Sequence, residues 1–170
     1  MDTDPEGAVD EPVRDRASRL TQDHHQSLKL WLRMLSCTVS IENEVRTRLR
    51  ASFGITLPRF DRMAQLERFP EGLRMGELSK RMMVTGGNIT GITDQLEQEK
   101  LVLRVVDPQD RRAYSVKLTP AGRRAFDDMA RVHEGWIAEL LQGVTPDDKS
   151  QLIDLLSHMK QQLNDIAIKD

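Results

Sequence analysis

The 170-residue chain contains 38% hydrophobic and 31% charged residues and has a net charge of −2. Its length suits one domain, and its aromatic content of only 4% favours a mainly helical fold over a sheet-rich one. No apolar run approaches the roughly 18 residues of a membrane span, and the acidic start lacks the features of a signal peptide, so we expect a cytoplasmic protein without a membrane partner. A single cysteine, Cys37, suits a reducing compartment.

The charge is divided unevenly along the chain. Residues 1–13 hold five acids and, before Arg14, no base, and we expect residues 1–24 to form an acidic, disordered tail. Residues 74–124 hold ten basic and six acidic residues, a local positive excess that the overall value conceals. An excess of positive charge this small is common on solvated surfaces. Whether it indicates a binding surface depends on where the basic residues lie in the fold.

The first predicted helix spans His25–Ser52. It has one apolar stripe along its whole length and a second over its first half: Leu28, Leu32, Leu35, Val39, Val45 and Leu49, then Leu30, Met34, Cys37 and Ile41. A helix with two apolar faces needs two partners to pack against. Gly54 is a helix-stop signal, Thr56 and Pro58 begin the next helix, and Pro70 ends it.

Residues 75–99 predict two helices joined by a short turn. The first helix spans Met75–Arg81, and the second follows Thr85, a good N-cap residue. Glycine costs about 1 kcal/mol relative to alanine inside a helix, so three glycines near this helix start indicate close approach to another surface. The face opposite the apolar stripe is small and polar, and it carries Gly87, Asn88, Thr90, Gly91, Asp94 and Gln95.

Two strands follow, over Leu101–Val106 and Ala113–Leu118. The turn between them places Arg111 and Arg112 side by side, where their charges repel unless something negative meets them. Taken alone, an arginine pair on a surface hairpin more often has no role in binding. The helix-turn-helix immediately upstream favours DNA, because a helix of small polar side chains fits the ~12 Å major groove and arginines suit the narrow minor groove.

Two long helices complete the chain, the first from Thr119-Pro120 and the second from Thr145-Pro146. The last keeps a coiled-coil-like apolar seam over residues 152–166. The sequence therefore predicts a mainly α (α+β) fold. A winged helix-turn-helix lobe over about 57–118 is flanked by long helices over about 25–52 and 119–166.

Residues 75–126 resemble the MarR family of dimeric winged-helix repressors, and the order of elements is similar over about 25–165. The run from Asp110 to Ala113 resembles the family's D-x-R-[S/A/G] signature, and an L-T-x-x-G motif follows at residues 118–122. Lys100 stands where relatives usually have a helix-ending glycine, so we expect a less sharp helix end. The resemblance implies DNA contacts from Thr85, Gly87, Asn88, Thr90, Gly91, Gln95, Asp110, Arg111 and Arg112, with Gln95 at a position where relatives often have arginine.

The same resemblance implies a homodimer held by the first helix and the last two. Its duplex DNA operator would be near-palindromic, with half-sites about one turn, roughly 34 Å, apart. It also implies a small-molecule effector, often an aromatic acid, and residues 56–66 resemble regulators that respond to aromatic acids or their coenzyme A thioesters. Arg59 could hold a carboxylate, whereas core packing is the alternative for the apolar candidates. The candidate ligand residues are Trp31, Met34, Arg59, Phe60, Met63 and Trp136.

Several other functions are weaker alternatives. Some relatives sense peroxides through a cysteine on the first helix, but Cys37 lies in an apolar stripe, which predicts a buried, inert thiol. The histidines lack metal-ligand spacing, and we predict no metal and no cofactor. The chain has no nucleophile motif or phosphate-binding loop, so we do not predict an enzyme. A winged-helix adaptor that binds protein instead of DNA is the last alternative.

Overall fold

A computed structural model of the chain describes residues 13–81, 89–106 and 113–167. Within these residues the chain forms six helices and a small antiparallel sheet, which confirms the predicted mainly α fold. The chain divides into two compact units, residues 1–44 and residues 45–170. The elements are α1 (Val13–Phe53), α2 (Leu57–Glu67), β1 (Leu73–Arg74), α3 (Met75–Arg81), α4 (Ile89–Gln98), β2 (Val102–Val106), β3 (Tyr114–Leu118), α5 (Pro120–Leu140) and α6 (Pro146–Ala167).

The N-terminal unit consists of the first part of α1. The helix begins at Val13, so the prediction of a disordered tail was wrong for residues 13–24, while residues 1–12 lie outside the described residues. Of the twelve residues 13–24 only Val13, Ala17 and Leu20 are apolar, and so short a pattern did not reveal the helix. Apolar side chains further along this unit are between 42% and 56% exposed: Leu28, Leu30, Trp31, Leu32, Leu35 and Val39.

The C-terminal unit contains a three-stranded sheet in the order β1-β3-β2. Strands β2 and β3 pair antiparallel from Val102 opposite Leu118 to Val106 opposite Tyr114, as the predicted hairpin requires. The two-residue strand β1 was not predicted, because two residues show no alternation. It pairs with β3 just after Gly72, whose φ of +96° and close approach to the Val116 carbonyl both favour glycine.

The core of this unit lies between the sheet and helices α2, α4 and α5. Phe60 and Met63 point inward from α2, as predicted, with exposed fractions of 5% and 0%. One buried residue on the same helix is unexpected, since Arg62 is also 0% exposed. The buried apolar residues are Val45, Leu49, Ile55, Leu57, Phe60, Met63, Leu66, Leu73, Leu78, Leu96, Val102, Val116, Leu118, Phe126 and Met129.

Helix boundaries follow most of the predicted signals. Gly54 ends α1 with a φ of +63°. The Thr145 hydroxyl accepts a hydrogen bond from the Asp148 backbone N–H at 3.2 Å and donates to the Asp148 carboxylate at 2.7 Å. Thr56 is the N-cap of α2, but its side chain makes no capping bond, and only its carbonyl accepts from the following turn.

Helix α4 ends sharply, which corrects the expectation drawn from Lys100. The residue adopts a left-handed conformation with φ of 59°, the backbone N–H of Leu101 donates to the Leu96 carbonyl at 2.9 Å, and that of Lys100 donates to the Glu97 carbonyl at 2.9 Å. These two bonds form a helix-ending motif that usually employs glycine. Tertiary contacts beyond the helix therefore hold a lysine in a conformation that glycine adopts more easily.

Replacing Lys100 with glycine is expected to stabilise the folded protein. The left-handed conformation costs a residue with a Cβ about 1 kcal/mol or more, and glycine removes most of that cost, so the free energy of unfolding rises by about 1 kcal/mol. Urea denaturation followed by circular dichroism measures the change. The matched control, Lys100→Ala, removes the same charge but keeps the Cβ and is expected to change stability little.

His133 on α5 makes stability depend on pH. Its ring centroid lies 4.9 Å from that of Phe60, and burial lowers its pKa, outweighing the opposing attraction of Glu134. The imidazole of His133 therefore binds a proton more readily in the unfolded chain than in the folded protein. Its contribution to the free energy of unfolding is fully present above the unfolded pKa of about 6.5, and it is lost as the pH falls through the lower pKa of the folded protein. Denaturation at pH 7.5 and 5.5 will show this loss, and His133→Phe, which keeps an aromatic ring, will reduce it.

Candidate nucleic-acid interface

Helix α4 has a buried face and an exposed face. Thr93 and Leu96 are 0% exposed and face the core, whereas Thr90 and Gln95 are exposed and Gly91 is half-buried. The described part of the predicted DNA-contacting face is therefore accessible to a partner. The other predicted members, Thr85, Gly87 and Asn88, lie outside the described residues.

Arg104 on β2 joins the hairpin to α4. Its guanidinium donates hydrogen bonds to the carboxylates of Asp94 and Glu97, and it lies 5.3 Å from the Tyr114 ring centroid. The hydrogen bond to Asp94 is the main cause of the raised pKa of Arg104. Asp94 was predicted to lie on the outer polar face, but it turns toward Arg104. The helix and the hairpin are thus held together, and the single positive charge of Arg104 offsets one of the two negative charges that would repel phosphates.

A third carboxylate of this lobe is also paired. Glu99, just beyond α4, accepts a hydrogen bond from Arg59 on α2. At the end of α3, Lys80 and Arg81 are exposed, and Arg81 lies 4.5 Å from the centroid of the Phe69 ring. The carboxylates of Asp94, Glu97 and Glu99 are therefore all engaged by arginines, which reduces their repulsion of an anionic partner.

The L-T-x-x-G motif explains how the base of the hairpin is fixed to α5. The Thr119 hydroxyl donates to the Lys100 carbonyl at 2.7 Å and accepts from the Gly122 N–H at 2.9 Å. The Thr119 backbone N–H donates to the Leu101 carbonyl at 3.0 Å. A Cβ on Gly122 would lie 1.9 Å from that same carbonyl oxygen, so only glycine fits there. The predicted tip residues Asp110, Arg111 and Arg112 lie outside the described residues.

Three of the six predicted ligand residues pack against other side chains of the chain. Phe60 and Met63 belong to the core, where Phe60 packs 5.5 Å from the Phe126 ring. Trp136 is half-buried on α5, with its ring 6.2 Å from that of Phe53. Core packing, the alternative for the apolar candidates, therefore describes Phe60 and Met63.

The remaining ligand candidates differ in their exposure. In the N-terminal unit, Trp31 is 54% exposed and Met34 is half-buried. A groove of about 520 Å³ runs beside Leu28 and Leu32, and no predicted ligand residue lines it. Arg59 pairs with Glu99, but its Nε is buried without a hydrogen-bond acceptor among the described residues.

The redox and metal alternatives depend on the surroundings of Cys37 and of the metal-ligand side chains. Cys37 is exposed, so the prediction of a buried thiol was wrong for the single chain, because the described residues leave that stretch of α1 uncovered. Within residues 13–81, 89–106 and 113–167, no cluster of three or more histidine, cysteine or carboxylate side chains is arranged to hold a metal. Among the helices in these ranges, none is both long and apolar enough to cross a membrane.

Comparison with known proteins agrees with this geometry. The model of the MarR family matches residues 55–114, from just before α2 to the start of β3. The structure superimposes with a TM-score of 0.72 on a MarR family transcriptional regulator from Silicibacter pomeroyi, at 30% identity, covering 83% of this chain and 97% of that one. The chain belongs to the MarR family. It is a winged helix-turn-helix, DNA-binding transcriptional regulator, in which α3 and α4 form the helix-turn-helix and the β2–β3 hairpin forms the wing.

Two curated relatives extend the comparison. The HTH-type transcriptional regulator YkoM of Bacillus subtilis is 32% identical over 83 residues, which is 49% of this chain and 54% of that protein. The chain thus matches about half the length of this relative. The transcriptional activatory protein BadR of Rhodopseudomonas palustris is 26% identical over 140 residues, covering 78% of this chain and 79% of that protein. These two relatives are regulators rather than enzymes.

Two features of this MarR-family lobe were missed by sequence reasoning. Arg62 and Thr93 are both fully buried between α2 and α4, although their residue types predict surface positions. The Arg104 pairing was missed because it depends on the register of the hairpin against α4. One signal was available in the sequence, since Asp94 and Glu97 lie three residues apart and share one side of the helix.

Proposed function

We propose that this MarR-family regulator acts as a homodimeric, ligand-responsive repressor that binds a near-palindromic DNA operator. We expect it to act in the cytoplasm. The observation that carries the proposal is the surface of α4. Thr90 and Gln95 are exposed there, while the neighbouring carboxylates of Asp94 and Glu97 are engaged by Arg104. A small, polar helix face whose two carboxylates are held by an arginine suits entry into the major groove.

The proposed contacts divide by groove. From α4 and the residues before it, side chains and backbone of Thr85, Gly87, Asn88, Thr90, Gly91 and Gln95 would meet base edges and phosphates in the major groove. From the wing, Arg111 and Arg112 would meet phosphates and the minor groove, with Asp110 orienting the tip. The Arg104 pairing supports this arrangement, because it fixes the wing strand to the helix that reads the bases.

Exposed apolar seams support the homodimer. Along α6, six large side chains are between 45% and 65% exposed: Leu152, Ile153, Leu155, Leu156, Leu163 and Ile166. An apolar seam of this length is unfavourable in water and suits burial against another helix. A second copy related by two-fold symmetry would bury this seam on both protomers, and a two-fold dimer in turn requires a two-fold operator.

Selection of bound sequences from a pool of random DNA duplexes tests the proposal. We expect the recovered sites to contain an inverted repeat whose half-site centres are about 10 base pairs apart. Sedimentation of the protein with one recovered duplex should give two protomers per site. Recovery of sequences without a common motif, or of one unrepeated half-site bound by a single protomer, would contradict the proposal.

Repression is the simplest regulatory outcome for such a dimer, because a protein that covers a promoter blocks polymerase without further contacts. The relative BadR is described as an activatory protein, so the direction needs its own test. A reporter gene with the recovered site overlapping its promoter should lose expression when the regulator is present. Increased expression would show activation instead.

The proposed effector is an aromatic acid or its coenzyme A thioester. The support is Arg59, whose buried Nε has an unused hydrogen bond among the described residues and whose terminal nitrogen is held by Glu99. An incoming anion could take over this guanidinium from Glu99. Benzoate, 4-hydroxybenzoate and benzoyl-coenzyme A should raise the melting temperature of the wild type and change operator affinity. No thermal shift with any of these compounds, or an equal shift in Arg59→Gln, would contradict the proposal.

A further inference from the structure

Arg62 is a buried cation that lies against the first turn of α4. Its side chain is 0% exposed, although it sits in the middle of the amphipathic helix α2. One terminal nitrogen, Nη1, donates to the Ile89 carbonyl at 2.6 Å and also to the Thr93 hydroxyl. Arg62 therefore bonds the helix that is proposed to enter the major groove.

The environment of this guanidinium is unfavourable for stability. Among the described residues its partners are neutral, and its Nε and Nη2 atoms are buried without an acceptor. Burial lowers the pKa of Arg62 to about 10. Buried charge without a counter-charge usually destabilises a fold, and an apolar side chain of similar size is often neutral or better. Stability alone does not explain an arginine at this position.

The groups that Arg62 contacts would stay satisfied without it. The Thr93 hydroxyl itself donates to the Ile89 carbonyl at 2.8 Å, so this carbonyl and this hydroxyl keep a bond to each other. What Arg62 adds is a connection from α2 to the start of α4. A side chain held by two bonds to one turn restricts both the position and the rotation of that turn.

We infer that Arg62 is a positioning residue, which fixes the first turn of α4 against α2 and so sets the orientation in which α4 meets the bases. The inference rests on the proposed DNA-binding function. The side chain acts through the backbone of Ile89, which directly precedes the predicted contact residue Thr90, and through the hydroxyl of Thr93, three residues after Thr90. It is a determinant of sequence specificity that does not itself touch DNA.

The test compares Arg62→Met with wild type in two measurements, urea denaturation and binding to an operator selected with the wild type. We expect the midpoint of denaturation to be unchanged or higher, while operator affinity falls about tenfold or more, as when one base contact is misaligned. Affinity for unrelated duplex DNA should be unchanged, because phosphate contacts do not require that alignment. A variant that fails to fold, or one that binds the operator like the wild type, would overturn the inference.

Thr93 supplies the matched control. Thr93→Ser keeps the hydroxyl and should bind the operator nearly as well as the wild type. Thr93→Val removes the hydroxyl and should weaken binding, but in the Arg62→Met background it should have little additional effect. Additive losses would overturn the inference. A wild-type protein that binds no specific duplex would instead count against the proposed function, so the two failures are distinguishable.

Discussion

Replacing Gly122 with alanine will lower the free energy of unfolding by about 3 kcal/mol or more. The new Cβ would lie 1.9 Å from the Leu101 carbonyl oxygen and 2.8 Å from its carbonyl carbon, and both atoms belong to the backbone. A flexible side chain could move away, but this backbone is held by the Thr119 N–H at 3.0 Å. The base of the wing must therefore separate from α5, which makes the cost larger than that of ordinary overpacking.

Gly135 provides the control on the same helix. An added Cβ there would meet no atom within 4 Å, so Gly135→Ala should raise the free energy of unfolding by up to about 1 kcal/mol through improved helix propensity. Urea denaturation of both variants and the wild type measures the difference in the free energy of unfolding. Equal stability of Gly122→Ala and the wild type would show that the L-T-x-x-G corner does not hold the wing as described.

Replacing Arg112 with alanine will weaken operator binding by about 30-fold or more. A symmetric dimer would lose one wing contact on each protomer, and a single specific contact is worth about 1–3 kcal/mol. Arg112 lies between β2 and β3, whose last pair joins Val106 and Tyr114, and it matches the arginine of the family's wing signature. The loss should also reduce the dependence of affinity on salt, because fewer counterions are released.

Fluorescence anisotropy with a labelled operator at several salt concentrations measures both effects. Arg131→Ala is the matched control, since it removes the same charge from a side chain that is 78% exposed on α5. This control should bind within about twofold of the wild type. An Arg112→Ala variant that matches the control would favour the adaptor alternative, in which the wing contacts protein instead of DNA.

Local signals in the sequence predicted the fold well. Period-2 alternation predicted β3, and the cap residues Thr119 and Thr145 predicted the starts of α5 and α6. Such signals depend on neighbouring residues, which the sequence displays directly. The two-residue strand β1 is too short to produce such a pattern, and α1 extends to Val13 through a mostly polar stretch with few apolar residues.

The details of the site depend on long-range geometry that periodicity does not contain. A helical wheel predicts that Asp94 faces outward, but it cannot show that Arg104 lies opposite it in the folded lobe. Lys100 was expected to weaken the end of α4, yet contacts beyond the helix hold it in the left-handed conformation. Arg62 is the clearest case, because a charged residue on an amphipathic helix predicts exposure, whereas the structure buries it.

We propose that two protomers place their α4 helices on half-sites one DNA turn apart. The affinity of the wild type for its selected operator, compared with the same operator carrying five extra base pairs between the half-sites, tests this claim most directly. Five base pairs turn one half-site to the opposite side of the duplex, so a rigid dimer should bind the lengthened site only as weakly as unrelated DNA. Equal affinity for the two duplexes would contradict the claim.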